Sequence, residues 1–337
     1  MHFLVASPLA LLSRAARPAA WRWLPVLALA LPAFVHAQAW PTRPVRIIVP
    51  VAAGGTVDLV ARTVGEALAK NLGQPFTVDV KAGAAGSIGA TEVARAPADG
   101  YTLLLGGSST LAVNPAVSST LTYNAAEDFT PIALLGQTDV FLLVSSTLPV
   151  KNLQELLALA RQKPGYLNYG SSGTGSIGHL AMAALGAQAG VSFTHVPYKG
   201  TAAVFTDLMA GRVHMLVEAV PSGVPRLKDE RMRAIAVMGP ARSPLIPNIP
   251  TVAESGLPGF TVQTWYGFVA PRGLPPELTA RMNEEVNKAL RSPEILARFA
   301  TLGLEPGRGT PEQFSTMVAG ERQRWTRLAK DLKIMVD

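Results

Sequence analysis

A recurring pattern constrains the fold of this chain more than any other feature of its sequence. An apolar run of strand length is followed by a turn of small residues and then by a run with helical spacing. In the clearest copy, the extended run Leu167–Tyr169 leads through Gly170–Ser176 into helix-forming residues. A helix N-terminus carries unpaired N–H groups and a partial positive charge, and glycine lets the backbone approach a ligand closely. The turn therefore predicts a surface that holds an anion without a charged side chain.

Similar turns follow two other predicted strands, Val45–Pro50 and Tyr101–Leu105. We predict that anion-binding groups lie in these turns, and a turn that serves packing alone is the alternative. The predicted positions are Val51, Ala52, Ala53, Gly54, Gly55, Thr56, Gly107, Ser108, Ser109, Ser171, Ser172, Gly173, Thr174, Gly175 and Ser176. The segment Gly173–Gly178 also matches the dinucleotide motif G-x-G-x-x-G. The next predicted strand lacks the acid that would bind the ribose, which argues against NAD.

Predicted strands and helices alternate along the chain, which indicates an α/β fold with parallel sheets and right-handed crossovers. About ten strands fit two sheets better than one. Ligands of such sheets bind beyond the carboxyl ends of the strands, so two domains with facing strand ends would enclose a cleft. We predict a discontinuous first domain of residues 38–138 and 264–337 and a second domain of residues 139–263, with crossings near 137–141 and 258–266.

Composition excludes several classes of function. The 337 residues contain no cysteine, which excludes disulfides and thiolate chemistry, and no two histidines after residue 37 are spaced as a local metal pair. The formal net charge is +7, but no run of Lys and Arg suggests a nucleic-acid partner. We therefore expect no cofactor, no metal and no nucleic acid.

Residues 1–37 have the pattern of a secretory signal peptide. Arg14, Arg17 and Arg22 precede the apolar run Trp23–Phe34, and Val35–Ala37 resembles a cleavage site. The apolar run is too short for a membrane anchor, and no later run is long enough to span a bilayer. We predict cleavage after Ala37, with Ala39 as the alternative, and an exported, soluble protein.

Five further side chains are candidates for ligand contact, and four of them have a structural alternative. Asp58 lies in the first turn of a predicted helix, where a carboxylate complements the helix dipole, so we favour a supporting role for it over direct contact. His179 starts a helix, Tyr198 and Lys199 follow a strand, and Glu218 ends one. The alternatives are a structural histidine, a solvated lysine and a capping acid. The serines of the turns lie outside any G-x-S-x-G motif, which argues against a serine hydrolase.

Several segments, in the same order from Trp40 to the C-terminus, resemble one family. They are Trp40–Arg46, the Gly54-Gly55 turn with Asp58, Ala98–Leu103, Tyr169–His179, His195–Gly200, Arg233–Val237 and Ile249–Gly256. On these segments the chain resembles the Bug-type extracytoplasmic solute receptors of tripartite tricarboxylate transporters.

This resemblance implies a type II, Venus-flytrap periplasmic binding protein with two Rossmann-like domains and a cleft between them. It implies that backbone groups and ordered water at Val51–Thr56 hold the carboxylate of the ligand, and that the second domain contributes Ser171–Ser176. It also implies a monomer in the periplasm, a small organic carboxylate as ligand, an integral-membrane transporter as partner, and no enzymatic activity.

Two other functions remain open from the sequence: a sensory protein that presents the same ligands to a membrane kinase, and an exported α/β hydrolase. The sequence does not identify the carboxylate. From the sequence alone, Gly175→Val is expected to weaken binding strongly with the fold largely intact, because the added side chain displaces the ligand from backbone N–H groups. Ser172→Ala is expected to cost about 1 kcal/mol of binding.

Overall fold

Two groups of parallel strands are joined by a long antiparallel pair in a computed structural model that describes residues 40–334. The predicted signal peptide and its cleavage site lie outside the described residues. The strands are β1 (Val45–Val49), β2 (Phe76–Val80), β3 (Thr102–Gly107), β4 (Phe129–Ser145), β5 (Asn168–Ser171), β6 (Thr194–Pro197), β7 (Met215–Ala219), β8 (Met232–Val237), β9 (Gln263–Pro271) and β10 (Glu305–Pro306).

The helices occupy the connections that the sequence pattern predicts for them. They are α1 (Thr56–Leu72), α2 (Ser87–Ala94), α3 (Asn114–Val117), α4 (Leu153–Gln162), α5 (Ile177–Ala189), α6 (Thr201–Met209), α7 (Val220–Gly223), α8 (Pro276–Leu290), α9 (Pro293–Leu302) and α10 (Pro311–Asp331). Shorter helical turns lie at Ala84–Gly86, Ser109–Val113 and Val224–Lys228. The helices that follow β1 and β5 matter most below, because their N-termini face the candidate site.

The strand order is β2-β1-β3-β9-β4-β7-β5-β6, and both β8 and β10 also pair with β4. β1 pairs in parallel with β2 and β3, and β5 pairs in parallel with β6 and β7, as expected for βαβ crossovers. β4 and β9 run antiparallel to their neighbours, so the prediction of wholly parallel sheets is wrong for these two strands. An apolar run that is buried on both faces looks the same for a parallel and an antiparallel strand, so the direction of these two strands was not predictable from their residues.

β4 is a single strand of 17 residues where the sequence predicted two, Phe129–Leu135 and Val140–Val144. The more polar residues between these runs keep their pairing with β9, up to Asp139 opposite Gln263. From Val140 onward β4 pairs with β7 on one side and, from Phe141, with β8 on the other. The change of partner lies inside the predicted crossing 137–141. The division into two domains itself stays a prediction, since residues 40–334 pack as one compact unit.

We call β1, β2, β3, β9, β10 and the first part of β4 the first half of the sheet, and β5 to β8 with the rest of β4 the second half. Each half buries apolar side chains beneath its helices. Fully buried examples are Ile47 and Phe268 in the first half and Phe141 and Phe205 in the second. Burial of each such side chain stabilises the fold by roughly 1.5–3 kcal/mol. This packing holds in place the strand ends that carry the site.

Glycines end the two helices that matter most for the site. α1 is closed by Gly73 at φ 69° and α5 by Gly190 at φ 66°, both left-handed. The sequence places a glycine there because a left-handed residue satisfies the last carbonyl groups of a helix. In residues 40–334, no helix has the combination of length and apolar character needed to cross a membrane. Within the same residues, no group of three or more His, Asp or Glu side chains is placed to hold a metal ion.

Candidate ligand-binding cleft

A cavity of about 360 Å³ lies where turns from both halves of the sheet meet. The first half contributes the turn between β1 and α1 and the residues after β3. The second half contributes the starts of α5 and α6 and the end of β7. A wider cavity of about 1140 Å³ adjoins the smaller one and shares part of its wall. The shared wall consists of Pro50, Val51, Ala52, Ser109, Ser172, Lys199 and Gly200.

Most of the residues predicted as ligand contacts line one of the two cavities. Those on the smaller cavity are Val51, Ala52, Ala53, Gly54, Gly55, Thr56, Gly107, Ser108, Ser109, Ser172, Lys199 and Glu218. Those that line only the wider cavity are Gly173, Thr174, Ser176 and Tyr198. Asp58, Ser171, Gly175 and His179 line neither cavity. Contact of any of these residues with a ligand stays a prediction.

Asp58 holds the turn between β1 and α1 in place. Its Oδ2 accepts a hydrogen bond of 3.0 Å from the backbone N–H of Gly54, and its Oδ1 lies 3.0 Å from Nε of Arg62. Gly54 has a φ of 83°, a left-handed conformation that glycine adopts without strain. This geometry suits the supporting role that the sequence favoured for Asp58, because its carboxylate is already engaged by groups of its own helix and turn.

The buried ring of His179 and the half-buried ring of His195 support the turn between β5 and α5. Nε2 of His195 lies 2.6 Å from Oγ of Ser171, and Nδ1 of His179 accepts a hydrogen bond of 3.3 Å from the N–H of Gly175. The two rings stack with their centroids 4.0 Å apart, and the ring of Tyr169 stacks against His195 with a centroid distance of 5.0 Å. His179 therefore serves this structure as part of the wall behind the turn, which matches the structural alternative given for it above.

Both imidazoles are held in their neutral form. Burial lowers the pKa of His179 to about 4, and burial together with the neighbouring ring of His179 lowers the pKa of His195 to about 4. The hydrogen bond from Gly175 requires an unprotonated Nδ1 on His179, so the neutral ring is also the one that the turn needs. The shape of this turn is thus linked to the protonation of two side chains that lie outside both cavities.

Gly175 packs against the first half of the sheet. A Cβ at this position would lie 2.6 Å from Oδ1 of Asn114, and the φ of Gly175 is +80°. The reason given above for a binding defect in Gly175→Val is therefore wrong, because the added side chain would collide with Asn114 and would not enter either cavity. The conformation reflects close packing between the two halves, which the sequence pattern alone did not indicate.

Gly175→Val is expected to destabilise the fold by roughly 2–3 kcal/mol, from the strained φ and the collision together. Urea unfolding of purified protein measures this loss. Gly190→Val is the matched control, since Gly190 has a similar φ of +66° and no atom within 4 Å of the added Cβ. If both variants lose the same stability, the contact with Asn114 contributes nothing.

Two hydrogen bonds cross between the halves beside the cavities. Oγ of Ser109 accepts a bond of 3.1 Å from the N–H of Ile177, and Oγ1 of Thr56 donates one of 3.1 Å to Oγ of Ser222. The first bond joins the helical turn after β3 to the start of α5, and the second joins the start of α1 to α7. Ser109 in this way caps the N-terminus of α5. One of the N–H groups that the first turn of α5 cannot pair within the helix therefore already has a partner.

Ser172 and Lys199 line both cavities, and both side chains are exposed. The hydroxyl of Ser172 and the ammonium of Lys199 have no hydrogen-bond or ion-pair partner among residues 40–334. Each group is therefore available to a ligand without breaking an existing bond. The sequence proposed both positions, with a solvated role as the alternative for Lys199.

Ser172→Ala is expected to weaken carboxylate binding about fivefold, or ~1 kcal/mol, without lowering the unfolding temperature, because one free donor is lost. Isothermal calorimetry with a bound carboxylate and thermal unfolding measure the two effects. Ser171→Ala is the contrasting variant, since this buried hydroxyl contacts His195 and should affect stability first. Unchanged affinity of Ser172→Ala would remove this hydroxyl from the site.

Sequence reasoning missed several residues of the cavity walls. The segment Ala82–Ile88 lines the wider cavity, and Ala84 and Ala85 there have positive φ values of 45° and 51°. This segment also joins a strand to a helix through small residues. The strand–turn–helix pattern that marked the other turns would therefore have identified it as well. Thr264 and Tyr266 line the smaller cavity from β9, and no local signal marks them. The remaining missed positions include Pro50, Thr201, Ala202, Ala203, Ser222 and Arg226.

Glu218 lies within β7, whereas the sequence placed it at the end of a strand. Glu218 is 9% exposed, and burial raises the pKa of its carboxyl. Oε1 accepts hydrogen bonds from Oγ of Ser222 at 2.6 Å and from the N–H of Ala219 at 3.1 Å. This is the one acidic side chain among the described residues that line the smaller cavity.

Comparisons with known proteins agree on one family. Residues 60–334 match the sequence model of the tripartite tricarboxylate transporter family receptors. Protein BugT of Bordetella pertussis is 34% identical over 298 residues, which cover 88% of this chain and 91% of BugT. Its name agrees with the Bug-type resemblance described above.

Solved structures support the same relationship. A Rhodopseudomonas palustris protein with adipate has 38% identity and a TM-score of 0.84, over 88% of this chain and 99% of that one. MatC from the same species, with bound malate, has 35% identity and a TM-score of 0.80, over 86% and 99%. These relatives are solute-binding receptors, and their fold is the two-lobed α/β fold of periplasmic binding proteins. This chain belongs to the family of tripartite tricarboxylate transporter receptors.

Proposed function

We propose that this protein is a periplasmic receptor that binds a small organic carboxylate and delivers it to a tripartite membrane transporter. The observation that carries the proposal is the meeting of small-residue turns from both halves at one cavity of about 360 Å³. Backbone N–H groups and hydroxyls there are suited to carboxylate oxygens, and each such bond contributes roughly 1.5–3 kcal/mol. The relatives with adipate and malate support a carboxylate as the ligand.

The two halves would act as the two lobes of a flytrap, with the crossings in β4 and before β9. A ligand that contacts turns of both halves favours the closed arrangement over the open one. A monomer suffices for this, and the closed shape would be the form that the transporter recognises. Small-angle scattering with and without ligand tests closure, and an unchanged radius of gyration would contradict it.

Thermal-shift screening of dicarboxylates, tricarboxylates, amino acids and aromatic acids tests the binding function. Hits should bind in calorimetry with micromolar affinity, about −8 kcal/mol. The bound acid should be recovered unchanged after incubation, since the proposal requires no bond to be made or broken. Turnover of the ligand would support an enzyme instead. No binding to any of these acids would end the proposal.

The transporter partner and the location are tested in cells. Deletion of the gene should abolish uptake of the identified acid, whereas lost gene induction with intact uptake would indicate a sensor. Mass spectrometry of the exported protein should give a mature N-terminus at Gln38, or at Trp40 if cleavage follows Ala39. A cytoplasmic protein with an intact N-terminus would contradict the export.

A further inference from the structure

One carboxyl oxygen at the smaller cavity has no partner. Glu218 lines this cavity, and its Oε1 is engaged by Ser222 and Ala219. Its Oε2 is buried and makes no hydrogen bond to any residue in the range 40–334. Buried polar atoms without a partner are uncommon in folded proteins and call for an explanation. Of the two oxygens, only Oε2 is free to bind a group brought in by a ligand.

The neighbouring groups are already committed elsewhere. Ser222 directs its hydroxyl hydrogen to Oε1 at 2.6 Å, and its oxygen accepts the bond from Thr56 across the cleft. The guanidinium of Arg226 lies over the ring of Phe205, 4.4 Å from its centroid, and forms no ion pair among the described residues. No residue in the range 40–334 forms a hydrogen bond to Oε2, so a group of a ligand can serve as its partner.

The charged, titratable and hydroxyl groups around Glu218 come from several elements. Tyr266 faces it from β9, Thr201 from the start of α6, and Arg226 from the turn after α7. Lys199 lines the same cavity just before α6. Burial raises the pKa of the Glu218 carboxyl, whereas the hydrogen bonds from Ser222 and Ala219, the nearby hydroxyl of Thr201 and the charge of Arg226 oppose this rise more weakly. Burial, the largest of these influences, shifts the carboxyl toward its neutral form.

The position of the proton follows from the hydrogen bonds. Oε1 accepts two of them, which is the pattern of a carbonyl-type oxygen. In the neutral acid the proton then resides on Oε2, and the O–H becomes a donor. A ligand group that meets this donor must be an acceptor, such as a carboxylate oxygen.

We infer that Glu218 selects ligands with two acidic groups, because its neutral carboxyl donates a hydrogen bond from Oε2 to the second carboxylate. This inference rests on the proposed function and adds a residue that distinguishes among carboxylates. The first carboxylate would lie at the small-residue turns, and the uncompensated cations Lys199 and Arg226 on the cavity wall favour a second negative charge. An ionised Glu218 that pairs with an ammonium group of an amino acid is the competing arrangement.

The test uses adipate and malate as probes, with calorimetry between pH 6.5 and pH 9, where both probes are doubly ionised. Glu218→Gln keeps a donor and removes the titration. We expect it to bind within threefold of the wild type at pH 6.5 and to keep that affinity up to pH 9. The wild type should weaken by up to tenfold per pH unit above the pKa of Glu218 in the free protein, because binding then requires proton uptake.

Two results would overturn the inference. The first is a loss of more than tenfold in Glu218→Gln at pH 6.5. The second is the same pH profile for variant and wild type. A wild type that prefers glutamate or aspartate, with that preference lost in Glu218→Gln, would establish the ammonium arrangement instead. Glu285→Gln is the matched control, since Oε2 of Glu285 also lacks a partner but the residue lies on α8 outside both cavities.

A failure of the proposed function would be distinguishable from a failure of this inference. If no acid binds the wild type, the receptor function fails. The ionisation of Glu218 is then measured in the ligand-free wild type by carbon-detected NMR of labelled glutamate carboxyls, with the signal assigned by its absence in Glu218→Gln. A carboxyl that titrates in the ordinary range of glutamate would overturn the inference without any ligand.

Discussion

Gly55→Val is expected to reduce carboxylate binding at least about 100-fold while the protein stays folded. Gly55 precedes α1 with φ −88° and ψ 176°, an extended conformation that any residue adopts. Its added Cβ would meet only the carbonyl oxygen of Ala52, at 3.9 Å, so the fold has room for the side chain. Gly55 lines the smaller cavity directly before α1, so we expect an added valine side chain to hinder access of a carboxylate to the N–H groups at the start of that helix. Loss of two hydrogen bonds to a carboxylate costs roughly 3 kcal/mol or more.

Calorimetry with adipate or another acid from the screen measures the affinity, and thermal unfolding measures the fold. Gly320→Val is the matched control, because Gly320 in α10 has no atom within 4 Å of an added Cβ, and it lines neither cavity. It should bind like the wild type. Wild-type affinity in Gly55→Val would mean that the N-terminus of α1 does not contact the ligand.

The turns at the strand ends were predictable because their signal is local. An apolar run, a few small residues and a helical run lie next to one another in the sequence, and parallel strands bring their carboxyl ends to one edge. Val51–Thr56 and Ser172 therefore reach the cavity walls as expected. Each of these positions depends only on its own strand and helix, and on the rule that successive βαβ units repeat.

The parts of the site that were missed depend on distant pairings. Thr264 and Tyr266 reach the cavity because β9 inserts between β3 and β4, far from them in sequence. The stack of His179 on His195 depends on the parallel register that places Tyr169 opposite His195. Nothing in a short window of sequence sets either pairing. The reason expected for an effect of Gly175→Val was misjudged for the same cause, since the neighbour Asn114 comes from α3, far from Gly175 in sequence.

The stacked histidines predict a loss of stability in mild acid. Both have a pKa of about 4 in the folded protein, below the value near 6.5 of an exposed histidine. Between these values the unfolded chain binds more protons than the folded one, so the free energy of unfolding falls as the pH falls. From pH 7 to pH 5 the pair should contribute a loss on the order of 4 kcal/mol. Urea unfolding at a series of pH values measures it.

Other titrating groups change stability in different ways, so the difference between variants is the informative quantity. The raised pKa values of Glu218 and Asp139 stabilise the fold as the pH falls, which opposes the histidines. The lowered pKa of Asp229 acts only at lower pH, below the ordinary range of an aspartate. A double variant, His179→Asn and His195→Gln, removes both imidazoles, and its amides place a polar atom near Nδ1 of His179 and Nε2 of His195.

The double variant should therefore keep the bonds to Gly175 and Ser171, and its free energy of unfolding should lose most of its pH dependence between pH 6.5 and pH 5.

The ligand affinity of the wild type should also fall as the pH falls through this range. A protonated His179 no longer accepts the hydrogen bond from Gly175, and two cations 4.0 Å apart repel each other beneath the turn that carries Ser172. If wild type and double variant lose stability in parallel as the pH falls, the two rings are not buried in their neutral form, and the turn between β5 and α5 does not depend on them.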